Sequence, residues 1–151
     1  MKKGMITTTA LALTLGLLAA GNAQARDTKL MLSVEEAMSS ADFQEKLDPS
    51  ITFSFGGLPN GKRIGERHGN YISNKKTNAF GKSDEEACRW ALLSALLSFQ
   101  DRARSEGGDA VVNLESYYNA NPMISTTQFE CHAGAIMAGV ALRGDVVTLA
   151  P

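Results

Sequence analysis

The segment from Ser83 to Gly108 constrains this chain more than any other. Ser83-Asp84-Glu85-Glu86 is a capping box, in which the serine oxygen accepts from the amide three residues on and Glu86 reaches back. Three acids in a first turn suit the positive end of a helix dipole. Cys88, Leu92, Ala95, Leu96, Phe99 and Ala103 then recur on one face at helical spacing. Trp90, Leu93 and Leu97 form a second apolar stripe, and Ser94, Ser98, Asp101 and Ser105 are the polar remainder. So wide an apolar arc predicts a helix over about 83–106 that is covered on more than one side. Gly107-Gly108 stops it, because glycine takes the left-handed cap conformation without a Cβ clash.

Strands follow. Ala110 to Tyr118 alternates, with Ala110, Val112 and Leu114 on one face and Asn113, Glu115 and Tyr117 on the other. Asn119 to Ser125, with Pro122, reads as a loop. A second strand is expected from about Thr126 to Arg143, bent near Gly134. Its odd positions (Cys131, Ala133, Ala135, Met137, Gly139, Ala141) are mostly small enough for a helix to approach closely. Its even positions (Ile136, Ala138, Val140, Leu142) are apolar too, which predicts burial on both faces or a subunit interface. Val146 to Leu149 is expected as a last short strand.

Upstream, Ser33-Val34-Glu35-Glu36 is another capping box. It opens a short helix, broken near Ser39-Ser40 and ended before Asp48-Pro49, since proline disfavours helix at the residue before it. Ile51 to Phe55 alternates as a half-buried strand does, and Gly56-Gly57 and Pro59-Asn60-Gly61 are turn chemistry. Ile64 to Ala79 is polar and extended, with Tyr71 and Ile72 as its strand anchors. Its basic run Asn74-Lys75-Lys76-Thr77-Asn78 has no glycine nest or helix start to make a phosphate site, so it reads as a solvated strand end. The pattern predicts an α+β (α/β-like) domain: a small, mainly antiparallel sheet with the long helix packed on it and a short N-terminal helix elsewhere.

Met1 to Ala25 has the three parts of an export signal: Lys2 and Lys3, an apolar run from Ile6 to Ala20, and Ala23-Gln24-Ala25 as the cleavage site. The run is short for a membrane span and no cationic stop follows it. No cysteine follows the cleavage site, so there is no acceptor for a lipid anchor. The expected product is a periplasmic or secreted chain, 26–151, of about 126 residues, enough for one domain with a modest core. Losing two lysines and no acid moves the formal charge from −1 to about −3. A weakly acidic chain is poorly suited to nucleic acid, which needs a basic face. Cys88 and Cys131 are the only cysteines, and two in an exported chain read as a disulfide. Cys88 shares the helix face of Leu92, Ala95 and Phe99, and Cys131 shares the parity of Ala133 and Ala135, so the sulfurs meet if those faces do.

No catalytic set stands out. Gly56 and Gly61-Lys62 come nearest to a phosphate loop, but Arg63 stands where the magnesium-binding hydroxyl belongs and Pro59 interrupts the segment. A metal site is the alternative use of the thiols, with Cys88, Cys131, His132, His68 and Glu130 as possible ligands. Adjacent Cys131 and His132 point to opposite faces of a regular strand, which makes joint ligation awkward. No cofactor is implied.

Gly107-Gly108-Asp109-Ala110-Val111-Val112 after an amphipathic helix resembles the turn into a strand of the YbjQ-like α/β family, often labelled heavy-metal-binding. Gly139-Val140-Ala141-Leu142 matches that family's Gly-x-Ala-hydrophobic pattern. The layout is similar to the globular domain of the Rcs-pathway envelope lipoproteins, over roughly Tyr71 to Leu142. That resemblance implies that Cys131 pairs with Cys88. It also puts Ser116 and Met137 at the positions of a second disulfide that this chain lacks. The whole chain resembles small exported bacterial proteins often labelled as an excinuclease ATPase subunit, a label its residues do not support.

The function expected is that of a non-enzymatic exported binding or interaction module of the periplasm or envelope, taking a protein or small ligand, with no membrane anchor. The alternatives are a metal-binding protein using Cys and His, and a self-associating structural module. Tyr117, Tyr118, Asn119 and Asn121 form the expected contact surface, as aromatics beside a polar loop.

Overall fold

The computed structural model of the chain describes residues 25–151; the expected leader, Ala25 apart, lies outside them. The described chain runs β1 (Thr28–Ser33), α1 (Val34–Met38), α2 (Ala41–Lys46), β2 (Thr52–Phe55), β3 (Arg63–Asn78), α3 (Asp84–Glu106), β4 (Ala110–Tyr118), β5 (Asn121–Met123), β6 (Gln128–Ala133) and β7 (Met137–Ala150). The class is α+β. The seven strands make one mixed sheet in the order β1-β6-β7-β4-β2, with β3 also on β7 and β5 also on β4. Every pairing is antiparallel except β2 with β4.

The helix caps follow the sequence. Ser83 Oγ accepts from the Glu86 amide at 3.1 Å, and Ser33 Oγ accepts from the Glu36 amide at 3.2 Å. Gly107 closes α3 with φ 78°, a left-handed position that costs glycine nothing. The expected break at Ser39-Ser40 separates α1 from α2. One stripe of α3 (Cys88, Leu92, Ala95, Leu96, Phe99, Ala103) is wholly buried with the inner sheet residues Phe129, Cys131, Ala138, Val140 and Leu142. The second stripe is covered from α2, where buried Phe43 shares the core with Leu93, and Trp90 and Leu97 pack against it. Gln100, buried on α3, accepts from the Asp48 amide at 2.7 Å and ties the helix to the chain before β2.

Cys88 and Cys131 are disulfide-bonded across 43 residues, with Cα atoms 5.9 Å apart. The bond joins the second turn of α3 to β6, as both the compartment reasoning and the family resemblance implied.

Four expectations are corrected. The strand expected over Thr126–Arg143 is two strands, β6 and β7, joined by a hairpin at Gly134-Ala135-Ile136. Because Ala133 faces Ala138 and His132 faces Gly139, parity inverts at that turn. Even residues of β7 therefore face α3, and Gly139 and Ala141 lie on the outer face, away from it. The final strand is the continuation of β7. In β4 a bulge centred on Asn113, with φ 52°, breaks the alternation. Val111 and Leu114 both enter the main core, while Ala110 and Val112 join Val147 in a second small cluster. Last, the loop expected over Asn119–Ser125 contains β5, and β1 was not foreseen.

Candidate functional site

The outer face of the sheet gathers the polar and aromatic side chains. Strand β7 pairs with β6 near its start, His132 opposite Gly139, and with β4 further on, Ser116 opposite Leu142. Strands β4 and β6 splay apart beyond that point. Ser116 fills the gap, its buried Oγ accepting from the Glu130 amide at 2.9 Å. Tyr118, at the end of β4, then lies flat on His132, with ring centroids 3.6 Å apart and planes 7° from parallel.

His132 is held from both sides. Nδ1 is 3.0 Å from Asp27 Oδ1, and Nε2 is 2.7 Å from Glu130 Oε1. Lys29 Nζ lies 3.7 Å from Glu130 Oε2. Burial first, then the negative charges of Asp27 and Glu130, raise the Tyr118 phenol above its ordinary value.

The Tyr118–His132 stack forms a ridge between two depressions. A mainly apolar groove of about 470 Å³ runs beside the β6–β7 hairpin, lined by Ala135, Ile136, Met137, Gly139, Lys76 and the stack. Ile136 and Met137 are 66% and 45% exposed. Lys76 lies over the groove floor, its Cγ 3.6 Å from where a Cβ on Gly139 would sit. A more polar depression of about 440 Å³ lies across the ridge, between Lys29, Glu130, Asn119, Asn121 and Pro122.

The expected contact residues fall partly here. Tyr118, Asn119 and Asn121 line the polar depression. Tyr117 is engaged elsewhere: the Arg143 guanidinium stacks on its ring at 4.1 Å and donates from Nε to Glu115 at 2.6 Å. Asn119 and Ala120, with φ 50° and 59°, make the two-residue turn between β4 and β5. Sequence reasoning found Tyr118 but not its partner. In the sequence His132 stands out only as a possible metal ligand, and Asp27 does not stand out, because β1 and its flank carry no strand signal.

The possible metal ligands do not converge. The cysteines are bonded to each other, and His68 Nε2 lies 2.8 Å from Thr148 Oγ1 on β7, far along that strand from the position opposite His132. Asp27 and Glu130 sit at opposite nitrogens of His132. Among the described residues no group of three or more His, Cys, Asp or Glu side chains is placed to hold a metal ion. Gly56 to Lys62 connects β2 to β3, so a strand follows where a phosphate loop requires a helix. Ser116 lies opposite Leu142 and Met137 opposite Asn78, so those two positions are not cross-strand neighbours. No described helix is long and apolar enough to cross a membrane. Comparison with family models, with curated proteins and with solved structures finds no match to the chain.

Proposed function

We propose that this chain is an exported, non-enzymatic binding module, and that its ligand site is the outer-face groove beside the Tyr118–His132 stack. The observation that carries the proposal is the stack itself. Two carboxylates and a parallel ring fix an aromatic wall beside exposed Ile136 and Met137, on a sheet that the disulfide ties to α3. A rigid aromatic wall beside an apolar floor, with a few polar groups at the rim, is ordinary ligand-site chemistry. The occupant that fits is an apolar group of a small molecule or of a partner side chain, with its polar end toward Lys76. Cleavage after Ala25 places the new α-amine of Arg26 at the groove lip, since Ala25, Arg26 and Asp27 all line it. The YbjQ-like resemblance is part of the same proposal, as a statement of ancestry for the helix-turn-strand unit.

A naphthylamine-type fluorescent probe tests the site. The mature chain should enhance its emission saturably, and Tyr118→Ala and Ile136→Ser should each weaken binding about tenfold, the effect of roughly 1.4 kcal/mol. Equal binding by both variants, or no saturable binding, refutes the assignment.

A further inference from the structure

The four strands with an outward edge are defended unequally. β3 carries four Lys or Arg side chains and two register shifts. β2 has four residues and a register shift, and β5 has three residues including Pro122. Charges, bulges, proline and shortness are the usual devices that keep an edge from pairing with another chain. β1 has none of them to the same degree. Its six residues pair with β6 in unbroken register, without proline. Its one charge, Lys29, is drawn toward Glu130 of its own sheet. Among the described residues, no hydrogen bond beyond the β6 ladder is made to the backbone of Thr28 to Leu32.

We infer that β1 is a strand-addition edge and that its partner is a second copy of this chain, joined β1 to β1 antiparallel about a two-fold axis at Met31. Cross-strand partners share a face, so a two-fold axis normal to the sheet passes through a residue position. With the axis at Met31, Leu30 of each copy faces Leu32 of the other on the α3 side, and Met31 faces Met31 on the outer side. Leu30 and Leu32 are only partly buried against the core, and this pairing continues the apolar layer across the joint. Lys29 of each copy then faces Ser33 of the other on the outer side. The apolar pattern therefore favours self-pairing. This inference goes beyond the groove and does not depend on it.

The test is sedimentation equilibrium of the periplasm-derived mature chain from about 1 μM to 1 mM, spanning the range of weak dimers. A reversible dimer is expected. Met31→Lys sets two like charges directly opposite each other and should weaken the dimer at least tenfold while leaving the melting profile of dilute monomer intact. Met31→Cys should form an intermolecular disulfide under mild oxidation, and Ile72→Cys, on β3, should not. A monomer throughout the range overturns the inference. So does a dimer indifferent to Met31→Lys, or a monomer that instead adds an extended peptide along β1.

Discussion

Tyr118 and His132 come from strands that do not pair with each other, yet their rings lie parallel with centroids 3.6 Å apart. The contact spans the splay between β4 and β6 and separates the two depressions of the outer face. An aromatic pair adds roughly 0.5–1.5 kcal/mol beyond the area it buries. A double-mutant cycle with Tyr118→Leu and His132→Gln should therefore return a coupling of about that size by denaturant unfolding. Strict additivity would show that the rings do not support each other.

The disulfide predicts a matched pair of variants. It closes a 43-residue loop, for which the chain-entropy model gives about 4 kcal/mol. Cys88→Ser and Cys131→Ser should each lose about that much of a total near 5–15 kcal/mol. The double variant should lose little more than either, because one bond is broken in all three. Additive losses in urea titrations would contradict the entropic account.

Ala120 predicts a gain. Its φ of 59° is left-handed, which costs a residue with a Cβ roughly 1–2 kcal/mol. Ala120→Gly should raise stability by up to about 1 kcal/mol, the remainder being offset by unfolded-state entropy. Ser73 predicts a smaller one. Its buried Oγ, on β3, has no hydrogen-bond partner among the described residues, so Ser73→Ala should be neutral or slightly stabilising. A loss above about 1 kcal/mol in either thermal melt would contradict the local account.

Acid sensitivity should be traceable to Asp48. The Arg104 guanidinium, 2.8 Å away, and then the Ser50 hydroxyl and amide hold its carboxyl at about 2. A folded value below the unfolded one gives stability that is fully present above the unfolded carboxyl value, about pH 4, and is lost as pH falls toward 2. Asp48→Asn should make the unfolding free energy less steep across that window, where Asp84 and Asp145 are also held low, and leave its slope above pH 5 unchanged. An unchanged acid limb would assign the sensitivity elsewhere.

What was legible in the sequence was what local chemistry decides. Ser83 and Gly107 bound α3 within one residue, because a capping hydroxyl and a left-handed glycine act over a single turn. The Cys88–Cys131 bond was legible from composition and face. Parity beyond the hairpin was not: Gly134-Ala135-Ile136 are small or apolar, and nothing in them separates a turn from a bend in one strand. The bulge at Asn113 was hidden because its neighbours alternate normally in the sequence. β1 was missed because Thr28–Ser33 follows the leader with no turn signal and carries apolar residues on both faces. The site suffered accordingly. Tyr118 was found from its own chemistry, while His132, Asp27 and Glu130 reach it only through pairings of β1 with β6 and β6 with β7.

Native and denaturing mass spectrometry of the protein extracted from the periplasm reads export, disulfide and metal content of the proposed binding module together. The expected species is a chain of residues 26–151, lighter by two hydrogens than its reduced form, without an acyl group or a stoichiometric metal ion. A retained leader, free Cys88 and Cys131 thiols, or a metal ion that survives purification would contradict it.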